Sequence, residues 1–117
     1  MEKKHFVLKI LTGLYAKSEL ELQEGSYNLG TAVDCDINID DPNLLPHDIS
    51  LIVKDDSVSV RLSDEDSGTR SMYLAGSIHR ERVFDLLPYQ VLFLDDFAMA
   101  LGLAGQEWPE MSLEKQD

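Results

Sequence analysis

Short apolar runs with a period of two, each closed by turn residues, leave this chain few folds to choose from. The segment 57–63, SVSVRLS, places Val58, Val60 and Leu62 on one side of an extended backbone and the serines and Arg61 on the other. Successive side chains of a strand point to opposite faces, so this alternation belongs to a sheet with one buried face. Comparable runs fall at 5–11, 19–22, 26–29, 36–39, 49–53, 72–74, 82–86, 91–94 and 98–103. Between them stand Gly13, QEG at 23–25, DDPN at 40–43, KDDS at 54–57, SDEDSG at 63–68 and AGS at 75–77. These are turn chemistry. About ten short strands at this spacing predict an all-β sandwich or barrel rather than βαβ units.

The run DCDINID at 34–40 admits a second reading, because D-x-D-x-N-x-D is also how an EF-hand calcium loop begins. Such a loop needs Gly at its sixth position and a bidentate Glu at its twelfth. Here those positions hold Ile39 and Leu45. On an extended backbone, alternate side chains stand roughly 6.5–7 Å apart. Oxygens each about 2.4 Å from one calcium cannot be more than about 5 Å from each other. The strand reading is therefore adopted, with Cys35 on its inward face as a small buried hydrophobe. The expected core comprises Cys35, Ile37, Ile39, Ile49, Leu51, Val53, Val58, Val60 and Val91.

A single cysteine among 117 residues cannot form an internal disulfide, which suits a reducing cytosol. The net charge of -12, with basic residues scattered singly, argues against nucleic-acid or anionic-lipid partners. Apolar runs fall short of the roughly 20 residues a membrane helix requires. The best candidate, VLFLDDFAMALGLA at 91–104, is cut by Asp95 and Asp96, read as a hairpin turn. The N-terminus reads as a first strand and not as a signal peptide.

None of His5, His47 and His79 stands in a recognisable catalytic or metal-binding spacing, and no nucleophile elbow, P-loop or paired-cysteine motif occurs. No enzyme, cofactor or metal site is expected. The segment 105–117, GQEWPEMSLEKQD, is a polar tail or linker. It suits either a short helix over 110–115 after Pro109 or a frayed end. Trp108 suits a partner anchor or a cover for one end of the sandwich equally well.

A more specific signal spans 25–53, GSYNLGTAVDCDINIDDPNLLPHDISLIV. This segment resembles the core of a forkhead-associated (FHA) domain. That family has a strand ending in Gly-Arg, a CDI strand, an acidic turn, Ser-Arg-x-His and a further apolar strand. Gly30 and His47 match the family glycine and histidine, and DSGT at 66–69 stands where the family has Asn-Gly-Thr. The resemblance covers about residues 5–103 and implies an FHA-like sandwich of two antiparallel sheets over 1–104. It also implies structural roles for Gly30, His47 and Gly68. The family binds phosphothreonine through Arg, Ser and Asn, where this chain has Thr31, Leu44 and Ser67. A phosphate site without its guanidinium lacks a bidentate, charge-assisted contact, and the surrounding loops are acidic. Arg70 is the one nearby cation, and the sequence does not place it.

The stretch 11–41, LTGLYAKSELELQEGSYNLGTAVDCDINIDD, is similar to the N-terminal cytoplasmic domain of the YscD-type inner-membrane ring protein of bacterial type III secretion systems. Those domains commonly lack the phosphothreonine residues. This resemblance implies a non-catalytic scaffolding and interaction domain on the cytoplasmic face of the bacterial inner membrane. Its partners would be other ring subunits and cytosolic secretion-apparatus proteins. The isolated domain would be monomeric and the full-length protein part of a ring, attached to the membrane by a segment beyond residue 117. Partner-binding loops would contain Thr31, Asn43, Leu44 and Ser67, with 105–117 a loose tether. The alternative is a phosphopeptide-binding signalling module.

Overall fold

A computed structural model of the chain describes residues 5–64 and 70–115. Eleven strands follow one another: β1 Phe6–Ile10, β2 Glu19–Leu22, β3 Gly25–Gly30, β4 Ile37–Asn38, β5 Ile49–Val53, β6 Val58–Leu62, β7 Met72–Leu74, β8 Ser77–Ile78, β9 Val83–Leu86, β10 Val91–Leu94 and β11 Phe97–Leu103. They form two sheets, ordered β2-β1-β11-β10-β7-β8 and β4-β3-β5-β6-β9. The fold is an all-β sandwich without helices among the described residues.

The alternating sequences put one side chain in two between the sheets. Phe6, Leu8 and Ile10 of β1 and Val58, Val60 and Leu62 of β6 are all buried in the principal core. All nine core residues expected from the sequence are buried. Fully burying each Val, Leu or Ile contributes roughly 1.5–3 kcal/mol.

Four features depart from the expectations. β8 is an eleventh strand too short to show a period, created by a two-residue hairpin in which Ala75 and Gly76 take φ of 52° and 88°. The β3–β4 pair is parallel, while the remaining ladders are antiparallel. The strand expected over 36–39 shrinks to Ile37–Asn38, so Cys35 lies in a turn, its amide bonded to the Ala32 carbonyl at 3.1 Å. Cys35 is still buried, but not as an inward strand residue.

The tail is the fourth. Residues 107–115 are neither helix nor a loose tether. Trp108 and Met111 pack on the outward-facing Val91, Phe93, Ala98 and Ala100 of β10 and β11. Trp108 also meets Tyr89 edge-on at 5.5 Å and lies under the Lys9 ammonium at 4.3 Å. Lys115 bonds the Asp95 carbonyl and the Asp96 carboxylate at 3.0 and 2.9 Å. The tail thus covers a second face of one sheet, which explains why β10 and β11 read as a continuous apolar run: both of their faces are buried.

Candidate functional site

The loops joining β3 to β4, β4 to β5 and β10 to β11 meet at one end of the sandwich, together with Arg70 just before β7. Gly30 closes the first contact. A Cβ on it would lie 2.7 Å from the Leu45 carbonyl oxygen and 2.8 Å from the Pro46 carbonyl carbon, and closer still to the Pro46 oxygen. Only a residue without Cβ lets the two backbones approach so nearly. That approach permits two hydrogen bonds, from the Thr31 amide to the Leu45 carbonyl at 3.1 Å and from the Ala32 amide to the Pro46 carbonyl at 3.0 Å.

The acidic run does not converge on a single point. The Asp36 carboxylate accepts the Asn28 amide at 2.8 Å. The Asn38 amide group donates to the carbonyls of Thr31 and Ala32 at 2.9 Å, bracing the loop from within. Asp41 accepts both the backbone amide and the side-chain amide of Asn43 at 2.9 Å. Asp36 and Asn38 are thus committed to separate backbone groups, against the EF-hand reading, in which both would share one ion.

Beside this loop frame lies a buried ion pair that sequence reasoning missed. Asp48 is 0% exposed. Its carboxylate pairs with the Arg70 guanidinium, whose side chain is 9% exposed, and accepts the Leu45 amide at 3.0 Å. Arg70 donates in addition to the Asn43 carbonyl at 2.7 Å and stands 3.6 Å from the Asp95 carboxylate. The only advance signal was a lone charge, Asp48, opening the apolar run ISLIV. Nothing local connects it to a cation 22 positions away.

The structure distributes the sequence-derived candidates unevenly. Thr31 is half-buried, and its backbone serves the loop contact. Asn43 is half-buried, and its side-chain oxygen faces the Asp96 amide at 3.4 Å, linking the loop to the β10–β11 turn. Leu44 is 7% exposed and belongs to the principal core, so its side chain is not offered on the surface. His47 is exposed, with Nε2 2.8 Å from the Asp34 carboxylate, and its carbonyl accepts the Ser63 hydroxyl. Ser67 and Gly68 lie outside the described residues. Val33, between Thr31 and Asp34, is the most prominent apolar side chain of this end, 94% exposed. No described helix is long and apolar enough to cross a membrane.

Two packed sheets in this strand order form an FHA-like sandwich, by likeness to solved structures. The chain superposes on the cytoplasmic domain of the type III secretion sorting platform protein PscD from P. aeruginosa with a TM-score of 0.79 and 16% identity, covering 100% of this chain and 92% of that one. The FHA domain of a Chlamydia trachomatis protein matches at TM-score 0.71 and 23% identity, over 84% of this chain and 96% of that one. An FHA domain described for phosphothreonine-dependent interactions matches at TM-score 0.71 and 12% identity, over 87% and 99% of the two chains. No family model matches the sequence. No curated protein matches it either.

Proposed function

We propose that this chain is a non-catalytic scaffolding and protein-interaction domain on the cytoplasmic side of a type III secretion inner-membrane ring. In this reading it does not recognise phosphothreonine. The observation that carries the reading is the fate of Arg70. Its guanidinium is committed to Asp48, the Asn43 carbonyl and Asp95, inside a loop end that offers Thr31 and a buried Leu44 where FHA domains place phosphate-binding Arg and Ser. Recruiting Arg70 to a ligand would strand the Asp48 carboxylate in the interior. The likeness to PscD over the whole chain supports the secretion setting.

On this reading Thr31, Asn43 and Ser67 belong to loops facing ring subunits and cytosolic secretion components, with Val33 at their tip. Gly30, His47 and Gly68 would shape those loops. The full-length protein would sit in the membrane through a segment outside residues 1–117, and many copies in a ring would turn modest interfaces into stable assembly. A net charge of -12 is consistent with protein partners and not with nucleic acid.

Calorimetric titration of the domain with phosphothreonine peptides and their unphosphorylated counterparts should give no phosphate-dependent heat. Micromolar binding that vanishes without the phosphate would establish the signalling alternative. In the full-length protein, Val33→Arg should reduce secretion and recruitment of cytosolic components while the domain stays folded. Normal secretion by Val33→Arg and Thr31→Arg variants would remove this loop end as a contact.

A further inference from the structure

We propose that Asp34, Cys35 and His47 form a binding site for zinc or a similar borderline-soft divalent cation. The site spans the β3–β4 and β4–β5 loops and is independent of the functional reading above. The carboxylate, the thiol and the imidazole each present one ligand atom, and the three atoms lie within 4.8 Å of one another. Atoms so disposed all fall within about 2.8 Å of one common point, against zinc bonds of about 2.0–2.3 Å. Closing that gap takes about half an ångström to an ångström of side-chain movement, well within the rotation of an exposed Asp34 and His47.

The turn is what makes this possible. On a straight strand Asp34 and Cys35 would face opposite sides of the sheet. The Cys35 amide instead bonds back to Ala32 and folds the segment, turning both side chains toward His47. Cys35 Sγ contacts the Pro46 carbonyl at 3.2 Å, and His47 Nε2 stands 2.8 Å from Asp34 Oδ1. The two loops are already joined by the Thr31–Leu45 and Ala32–Pro46 backbone bonds and braced by Asn38. The site therefore needs little ordering on binding.

Sulfur, nitrogen and oxygen donors together suit zinc, with water completing a tetrahedron. Calcium and magnesium prefer oxygen alone. The cation enters from the solvent side past Asp34 and His47 and meets the buried sulfur last. Binding forms a metal–thiolate bond and breaks the S–H bond, and the thiol proton leaves to solvent.

Cobalt(II) is the spectroscopic probe, titrated into the full chain. One equivalent should produce a near-ultraviolet thiolate-to-cobalt charge-transfer band, which zinc then abolishes by displacement. His47→Gln and Asp34→Asn, both at exposed positions, should each weaken cobalt binding by roughly tenfold or more. Cys35→Ser should remove the band. Excess zinc should raise the melting temperature of the wild type and not of His47→Gln. The absence of a charge-transfer band at millimolar cobalt overturns the proposal. So does a band of unchanged affinity in both His47→Gln and Asp34→Asn. Those two variants decide the matter even if Cys35→Ser fails to fold.

Discussion

Replacing Arg70 by Met tests whether the loop end is held from inside. The guanidinium touches the Asp48 carboxylate, the Asn43 carbonyl and the Asp95 carboxylate. After the replacement, Asp48 keeps the Leu45 amide at 3.0 Å but loses its counter-charge in a site with 0% exposure. Breaking a buried ion pair from one side costs about 3–5 kcal/mol, because the remaining charge is neither paired nor hydrated. Arg70 sits at the rim, 9% exposed, so water reaches part of the vacated space and the expected loss is nearer about 3 kcal/mol. That is a large share of a typical domain stability of roughly 5–15 kcal/mol. Urea unfolding followed by far-ultraviolet circular dichroism should show the midpoint falling by about 1–3 M at an unchanged slope. Asp48→Asn alone should also destabilise. The double variant Arg70→Met with Asp48→Asn should lose less than the sum of the singles, with a coupling of about 1–3 kcal/mol. A loss under about 1 kcal/mol for Arg70→Met, or strict additivity, would refute the claim that this pair holds the loops.

Gly30→Ala should destabilise by about 2–4 kcal/mol, since its Cβ forces the Pro46 backbone away and breaks two inter-loop hydrogen bonds, each worth about 0.5–1.5 kcal/mol; equilibrium denaturation checks this, and a neutral substitution would mean that the loops separate freely. Trp108→Ala should cost about 1–2 kcal/mol through lost packing on Val91 and Ala100 and the lost Lys9 and Tyr89 contacts. Amide exchange in β10 and β11 should quicken with it, whereas unchanged exchange would show that the tail contributes nothing to the sheet it covers.

Much of the sandwich was readable because strand alternation is a local property. Val58, Val60 and Leu62 declare a buried face within five residues. The need for glycine at position 30 is not local, because the Leu45 and Pro46 carbonyls impose it. The ends of the strands were harder. Asp36 continues the alternation into Ile37, yet the strand begins only at Ile37, and the Asp36 carboxylate accepts the Asn28 amide. A period of two cannot register a hydrogen bond made eight residues away.

What the sequence by itself determined is the class of fold and the core side chains, since each is carried by residue identity and near-neighbour spacing. Only the tertiary structure decided three other things. It paired Arg70 with Asp48, 22 residues apart, and thereby buried the guanidinium among the loops. It laid the tail over the outer face of β10 and β11, where Trp108 packs, and it drew Leu44 separately into the core between the sheets. It also bent Asp34 and Cys35 into a turn facing His47, bringing together three ligand atoms that an extended reading keeps apart. These contacts join segments whose separation along the chain is set by topology, and residue type alone does not encode which loops meet at the end of a sandwich.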